Sequence, residues 1–118
     1  MKNYLLATLL TLSFWHSAAA EAPAIVPKPQ ELRLIADKPF LLSTKTQIRH
    51  DGAGTKAVAE LLALGLRPAT GFALPVSKSN QRGGNSILLT IQPGLKSMKS
   101  EGYILTVADG EITASAPT

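Results

Sequence analysis

No cysteine occurs in the 118 residues of this chain. Disulfide bracing, a thiolate nucleophile, a thiolate metal site and lipid attachment through cysteine are therefore excluded. Packing alone must hold the fold together. Aromatic residues are also few: one tryptophan, two tyrosines and three phenylalanines. Beyond the first twenty residues only Phe40, Phe72 and Tyr103 remain as stacking platforms. Charge of one sign is never concentrated. Twelve basic residues stand against eight acidic ones, and no three basic residues are consecutive. A nucleic-acid or membrane-surface patch needs such clustering, so neither partner is expected.

The longest apolar run, Tyr4 to Trp15, has twelve residues. That is too short for a membrane span, which needs roughly 20. Lys2 precedes the run, and Ala18-Ala19-Ala20 follows it as a small-residue cleavage site. This is the order of a secretory signal peptide, residues 1–20, cleaved after Ala20. The mature chain, 21–118, is expected to be periplasmic or secreted. It is long enough for one modest domain.

The remaining sequence reads as α+β. Ala22–Pro29 is a proline-rich, extended lead-in. Strands are predicted over Glu31–Ile35, Phe40–Leu42, Thr46–His50, Leu74–Lys78 and Ser86–Ile91, with Asp37-Lys38-Pro39 as a turn. A helix is predicted from about Thr55 to Arg67, stopped by Pro68 and Gly71. Its buried stripe is expected to be Val58, Leu61, Leu62, Gly65, Leu66 and Ala69, with Gly65 allowing close approach to a sheet. Tyr103, Leu105 and Val107 alternate as in a half-buried strand. Asp109-Gly110 is a two-residue turn of the I′ kind, and Ile112 and Ala114 face inward on the return strand. Ile112, Ala114 and Ala116 are placed on a possible sheet edge, which invites pairing with another chain. The expected architecture is a mixed or antiparallel β-sheet with a helix packed on one face.

Candidates for chemistry are few. His50-Asp51 is an adjacent pair, but neighbours in a strand point to opposite faces and cannot form a relay. Asp51 is better explained as a turn and helix cap. "DGAGTK", Asp51–Lys56, lacks the glycine-lysine-hydroxyl order of a phosphate loop. "RGGN", Arg82–Asn85, lacks the strand-before, helix-after setting of a dinucleotide site, and no serine lies in a G-x-S-x-G elbow. Asp109 and Glu111 flank the closing turn and read as exposed turn charges rather than a glycosidic acid pair.

The order of segments resembles a known family. "IVPKPQELRL", "KPFLLSTKTQI", "KAVAELLALGLRPATGFALPV", "NSILLTI" and "SEGYILTVADGEITASA" are similar, in that order, to the N-terminal, zincin-like domain of bacterial β-N-acetylhexosaminidases of glycoside hydrolase family 20. The resemblance covers roughly Ala24 to Ala116. It implies a non-catalytic domain that packs against a (β/α)8 barrel, the barrel being the expected partner and amino-sugar glycans the parent's substrate. It also implies that the last strand runs on into a Gly-aromatic-Gly segment and a "T-L-x-Q-L" helix before that barrel. The family's catalytic Asp-Glu pair lies in the barrel, and no Asp-Glu dipeptide occurs here. No residue is therefore assigned a catalytic, cofactor-binding or metal-ligating role, and no cofactor is expected. The expected function is that of an accessory domain or fragment of an exported enzyme that hydrolyses terminal non-reducing N-acetylhexosamine. The alternatives are a stand-alone exported carbohydrate- or protein-binding module, and a related exported glycosidase such as an O-GlcNAc hydrolase or α-glucuronidase with a similar front domain.

Overall fold

The computed structural model describes residues 23–34, 38–95, 98–108 and 110–118. It divides into two units, Met1–Leu34 and Ile35–Thr118. In the first, residues 23–34 carry no helix or strand, and Arg33 pairs with Glu31 at 2.5 Å on exposed side chains. The strand predicted over Glu31–Ile35 is therefore absent from Glu31 to Leu34, while Ile35 lies outside the described residues. The predicted Asp37 turn and the signal-peptide segment also lie outside them.

The second unit is one mixed five-stranded sheet with one helix on it. In chain order its elements are β1 (Gln47–Asp51), α1 (Thr55–Thr70), β2 (Val76–Lys78), β3 (Ser86–Ile91), β4 (Ile104–Ala108) and β5 (Glu111–Ala116), with a 3₁₀ turn at Pro93–Leu95. The spatial order is β2-β1-β3-β5-β4. β1 pairs in parallel with β2 and β3, β3 pairs in parallel with β5, and only the β4–β5 hairpin is antiparallel. The α+β architecture read from the sequence is thus observed. β3 lies at the centre, as its unbroken apolar run "SILLTI" implies for a strand covered on both faces.

Register fixes which side chains share a face. Val76, Ile48, Ile87, Ile112 and Val107 lie in one row across the sheet, and Ser77, Arg49, Leu88, Thr113 and Thr106 in the adjacent row on the other side. α1 packs on the first face, over β1, β2 and β3. Ile48, Ala59, Ala63, Leu74 and Ile87 form the buried core, with Phe40, Leu42, Leu62, Leu66 and Phe72 packed against it.

α1 departs from the sequence reading in two respects. Pro68 does not stop it; the helix continues to Thr70 and ends at Gly71, which is left-handed (φ 71°) and donates its N–H to the Arg67 carbonyl at 2.8 Å. Pro68 sits so near the end that it removes only the bond to Leu64, whose side chain is on the exposed side. The buried stripe is also rotated. Thr55, Ala59 and Ala63 are buried and Leu62 and Leu66 partly so, whereas Val58, Leu61, Gly65 and Ala69 are exposed. Ala59 and Ala63, not Gly65, give the close approach to the sheet. A Cβ built at Gly65 meets nothing within 4 Å.

Four strand expectations are corrected as well. Phe40–Leu42 is irregular: the Leu41 carbonyl accepts from Asn85 Nδ2 at 3.1 Å instead of joining a ladder. β2 starts only at Val76, because Leu74 is left-handed (φ 41°) and turns its buried side chain into the core. β5 is interior rather than an edge, and β4 is exposed on both faces rather than half-buried.

Candidate functional site

His50 lies in β1 on the helix-covered face, buried, with Nδ1 3.4 Å from Thr55 Oγ1. Asp51 follows on the opposite face, in register with Thr90. The two side chains diverge, as strand alternation requires, and no relay exists between them. Asp51 is not the helix cap. Gly54 holds that position in a left-handed conformation without a side-chain bond, and Thr55 Oγ1 donates to the Gly52 carbonyl at 2.8 Å. The "DGAGTK" segment is a strand-to-helix turn. Its Gly52 is required by space, since a Cβ there would stand 2.8 Å from Ile91.

The "RGGN" loop carries the densest polar network of the described residues. Gly83, Gly84 and Asn85 have φ of 73°, 71° and 55°, a run that glycine and asparagine tolerate. Arg49 Nη1 reaches from β1 to the carbonyls of Gln81 and Gly83, both at 3.0 Å. Thr46 Oγ1 donates to Asn85 Oδ1 at 2.5 Å. From the other side, Glu111 grips the loop. Its Oε1 accepts from Arg82 Nη1 at 2.9 Å and from Thr113 Oγ1 at 2.6 Å, while Oε2 accepts from the Gly83 N–H.

Glu111 is therefore not an exposed turn charge: its side chain is only 12 % exposed. Burial by itself would raise its pKa. Hydrogen bonds from Thr113, Gly83 and Arg82, with the Arg82 charge, outweigh burial and hold the carboxyl below its ordinary value. Such a carboxylate is ionised at neutral pH and already accepts three hydrogen bonds from within the fold. It clamps β5 to the loop that precedes β3. Period-2 spacing puts Glu111 and Thr113 on one face, but nothing in the local sequence ties them to Arg82, far away along the chain. Asp109, its proposed companion, lies outside the described residues.

The aromatic candidates separate. Phe40 and Phe72 pack against the core, and Tyr103 is 62 % exposed. Two open depressions lie among the described residues. One, of about 610 Å³, lies beside α1 against Leu61, Leu64, Arg67 and Val76. The other, of about 390 Å³, lies on the far sheet face against Arg82, Ile104, Thr106 and Ser115. Neither brings together two ionisable groups free to exchange protons. Among the described residues no cluster of histidine and carboxylate could hold a metal ion, and no helix is long and apolar enough to cross a membrane.

What the surface does offer is apolar. Val58, Leu61 and Leu64 are 57 %, 69 % and 65 % exposed on α1, and Leu105 and Val107 are 55 % and 44 % exposed on β4. Contiguous apolar surface of this kind is characteristic of interaction faces and ligand grooves. No curated protein matches the chain significantly. The family model described as glycosyl hydrolase family 20, domain 2, matches residues 22–118. The chain belongs to glycosyl hydrolase family 20, through that family's domain 2.

Proposed function

We propose that residues 21–118 serve as the non-catalytic accessory domain of an exported β-N-acetylhexosaminidase, an enzyme that removes terminal non-reducing N-acetylhexosamine. The observation that carries this reading is the family 20 domain 2 match along the whole of the described chain. Two further observations support it. The best-organised polar cluster, around Glu111, is internally satisfied and therefore structural. The exposed apolar faces of α1 and β4 are of the kind that dock against more protein. The partner is the catalytic barrel, and the parent's substrates are amino-sugar glycans. Export rests on the leader-like order of Lys2, Tyr4–Trp15 and Ala18–Ala20.

The test has two parts. The whole reading frame containing these residues is expressed and assayed for release of N-acetylglucosamine from a chromogenic β-glycoside. Release is expected, and its absence from a folded product removes the enzyme reading. N-terminal sequencing of the accumulated protein is expected to begin at Glu21; an intact Met1 removes the export reading.

A further inference from the structure

The two edges of the sheet differ in how they are protected. β2 has only three residues, follows Pro75 and ends on Lys78. Short length, proline and lysine are the usual devices against edge-to-edge pairing. β4 has none of them. Its five residues, "ILTVA", contain no charge and no proline, and four of the five are exposed.

The backbone of β4 has a definite outward set. Ser86 N–H donates to the Gly110 carbonyl at 3.2 Å, and Gln92 N–H to the Ala116 carbonyl at 2.7 Å. Even-numbered residues of β5 thus turn their polar groups to β3, so Glu111, Thr113 and Ser115 turn theirs to β4. Their partners there are Ala108, Thr106 and Ile104. Leu105 and Val107 are left with N–H and C=O pointing away from the sheet.

We propose that this edge pairs with itself: two copies of the chain join antiparallel along β4, about a two-fold axis through Thr106. In that register Leu105 of each copy faces Val107 of the other, so outward groups meet outward groups and each such pair exchanges two backbone hydrogen bonds. Registers shifted by one residue set outward groups against inward ones and fail. Paired residues share a face, so Leu105 and Val107 also come together as side chains. They extend the open apolar row of one copy into that of its partner. No like charges oppose each other within the strand. A closed two-fold contact of this type consumes both free edges and stops at the dimer. At about 3.4 Å per residue the contact is ~17 Å long. It covers on the order of 400 Å² per copy, about half of the usual ~800 Å². The dimer is therefore concentration-dependent, and the inference stands apart from the enzyme reading.

The experiment is sedimentation of the protein, purified as the cell accumulates it, over a range of concentrations. Three samples are compared: wild type, a double variant Leu105→Lys/Val107→Lys, and a double variant Leu105→Glu/Val107→Glu. Wild type is expected to rise to a doubled mass. Each variant alone is expected to stay monomeric, because like charges then face each other across the axis. The mixture of the two variants is expected to regain the doubled mass. A wild type that stays monomeric throughout, or a lysine variant that associates like wild type, overturns the proposal. Should a variant fail to fold, amide exchange of the wild type decides. Protection at Leu105 and Val107 must rise with concentration, and unchanged protection overturns it.

Discussion

The two halves of the sheet are built from similar apolar strands, yet they are finished differently. Over β2, β1 and β3 the helix α1 closes the face, and Ile48 is fully buried there. Over β5 and β4 the same row continues through Ile112 to Val107, but exposure rises until Val107 is 44 % open. One half is thus a self-sufficient core and the other is an unfinished layer. The helix shows the same asymmetry: Ala59, Leu62, Ala63 and Leu66 meet the sheet, while Val58, Leu61 and Leu64 face outward. A helix that is apolar around most of its circumference is one meant to be covered on more than one side.

The contrast is broken most directly by truncating matched positions. Ile48→Ala, in the closed half, is expected to cost about 2–5 kcal/mol by cavity formation. The urea midpoint reads that loss. An Ile48→Ala cost below about 1 kcal/mol would mean the closed half is no core at all.

Next in size is the clamp that ties the halves together on the far face. Glu111→Gln removes a carboxylate held by Arg82, Thr113 and Gly83. Its expected cost at neutral pH is about 1–2 kcal/mol, after allowing for the exposure of Arg82. The sign with pH follows from the lowered folded value. At neutral pH Glu111 is ionised both folded and unfolded, and its stabilisation is complete. As pH falls through the ordinary value of 4.5, the unfolded chain takes up the proton first, and the stabilisation is lost down through the folded value. Wild type is therefore expected to lose stability below that point faster than Glu111→Gln does. Parallel pH profiles of the thermal midpoint would show that the clamp carries no net stabilisation.

Gly65→Ala sharpens the comparison from the helix side. Gly65 faces open space, so alanine is expected to stabilise by roughly 0.5–1 kcal/mol through helix propensity alone. Loss of stability there would restore the close approach that the sequence suggested and would place a covering element on that flank. The smallest effect belongs to the open half: Val107→Thr is expected to change monomer stability by less than about 0.5 kcal/mol, as at other exposed sites. Thermal midpoints taken at low concentration check both substitutions.

Much of this fold was legible in the sequence, and the failures have physical causes. β3, β5 and α1 were readable because their signals are local: an unbroken apolar run, a hairpin turn, and helical spacing ended by glycine. Phe40–Leu42 misled because an apolar run shows burial, not pairing: Phe40 and Leu42 pack against the core without a ladder partner. The stripe on α1 was misassigned because the helix carries two apolar faces, and periodicity cannot say which one meets the sheet. Glu111 was misjudged for a different reason. Its proximity to a turn is local, whereas its partners Arg82 and Gly83 arrive only through the parallel pairing of β3 with β5. For the same reason the position of the free edge was out of reach: strand order is a property of the whole topology.

The proposed accessory role requires that residues 21–118, a family 20 domain 2, perform no glycosidase chemistry by themselves. The most direct measurement is hydrolysis of a chromogenic N-acetyl-β-glucosaminide by the purified, folded chain. No release above buffer is expected at any pH, and release that scales with protein concentration would contradict the account.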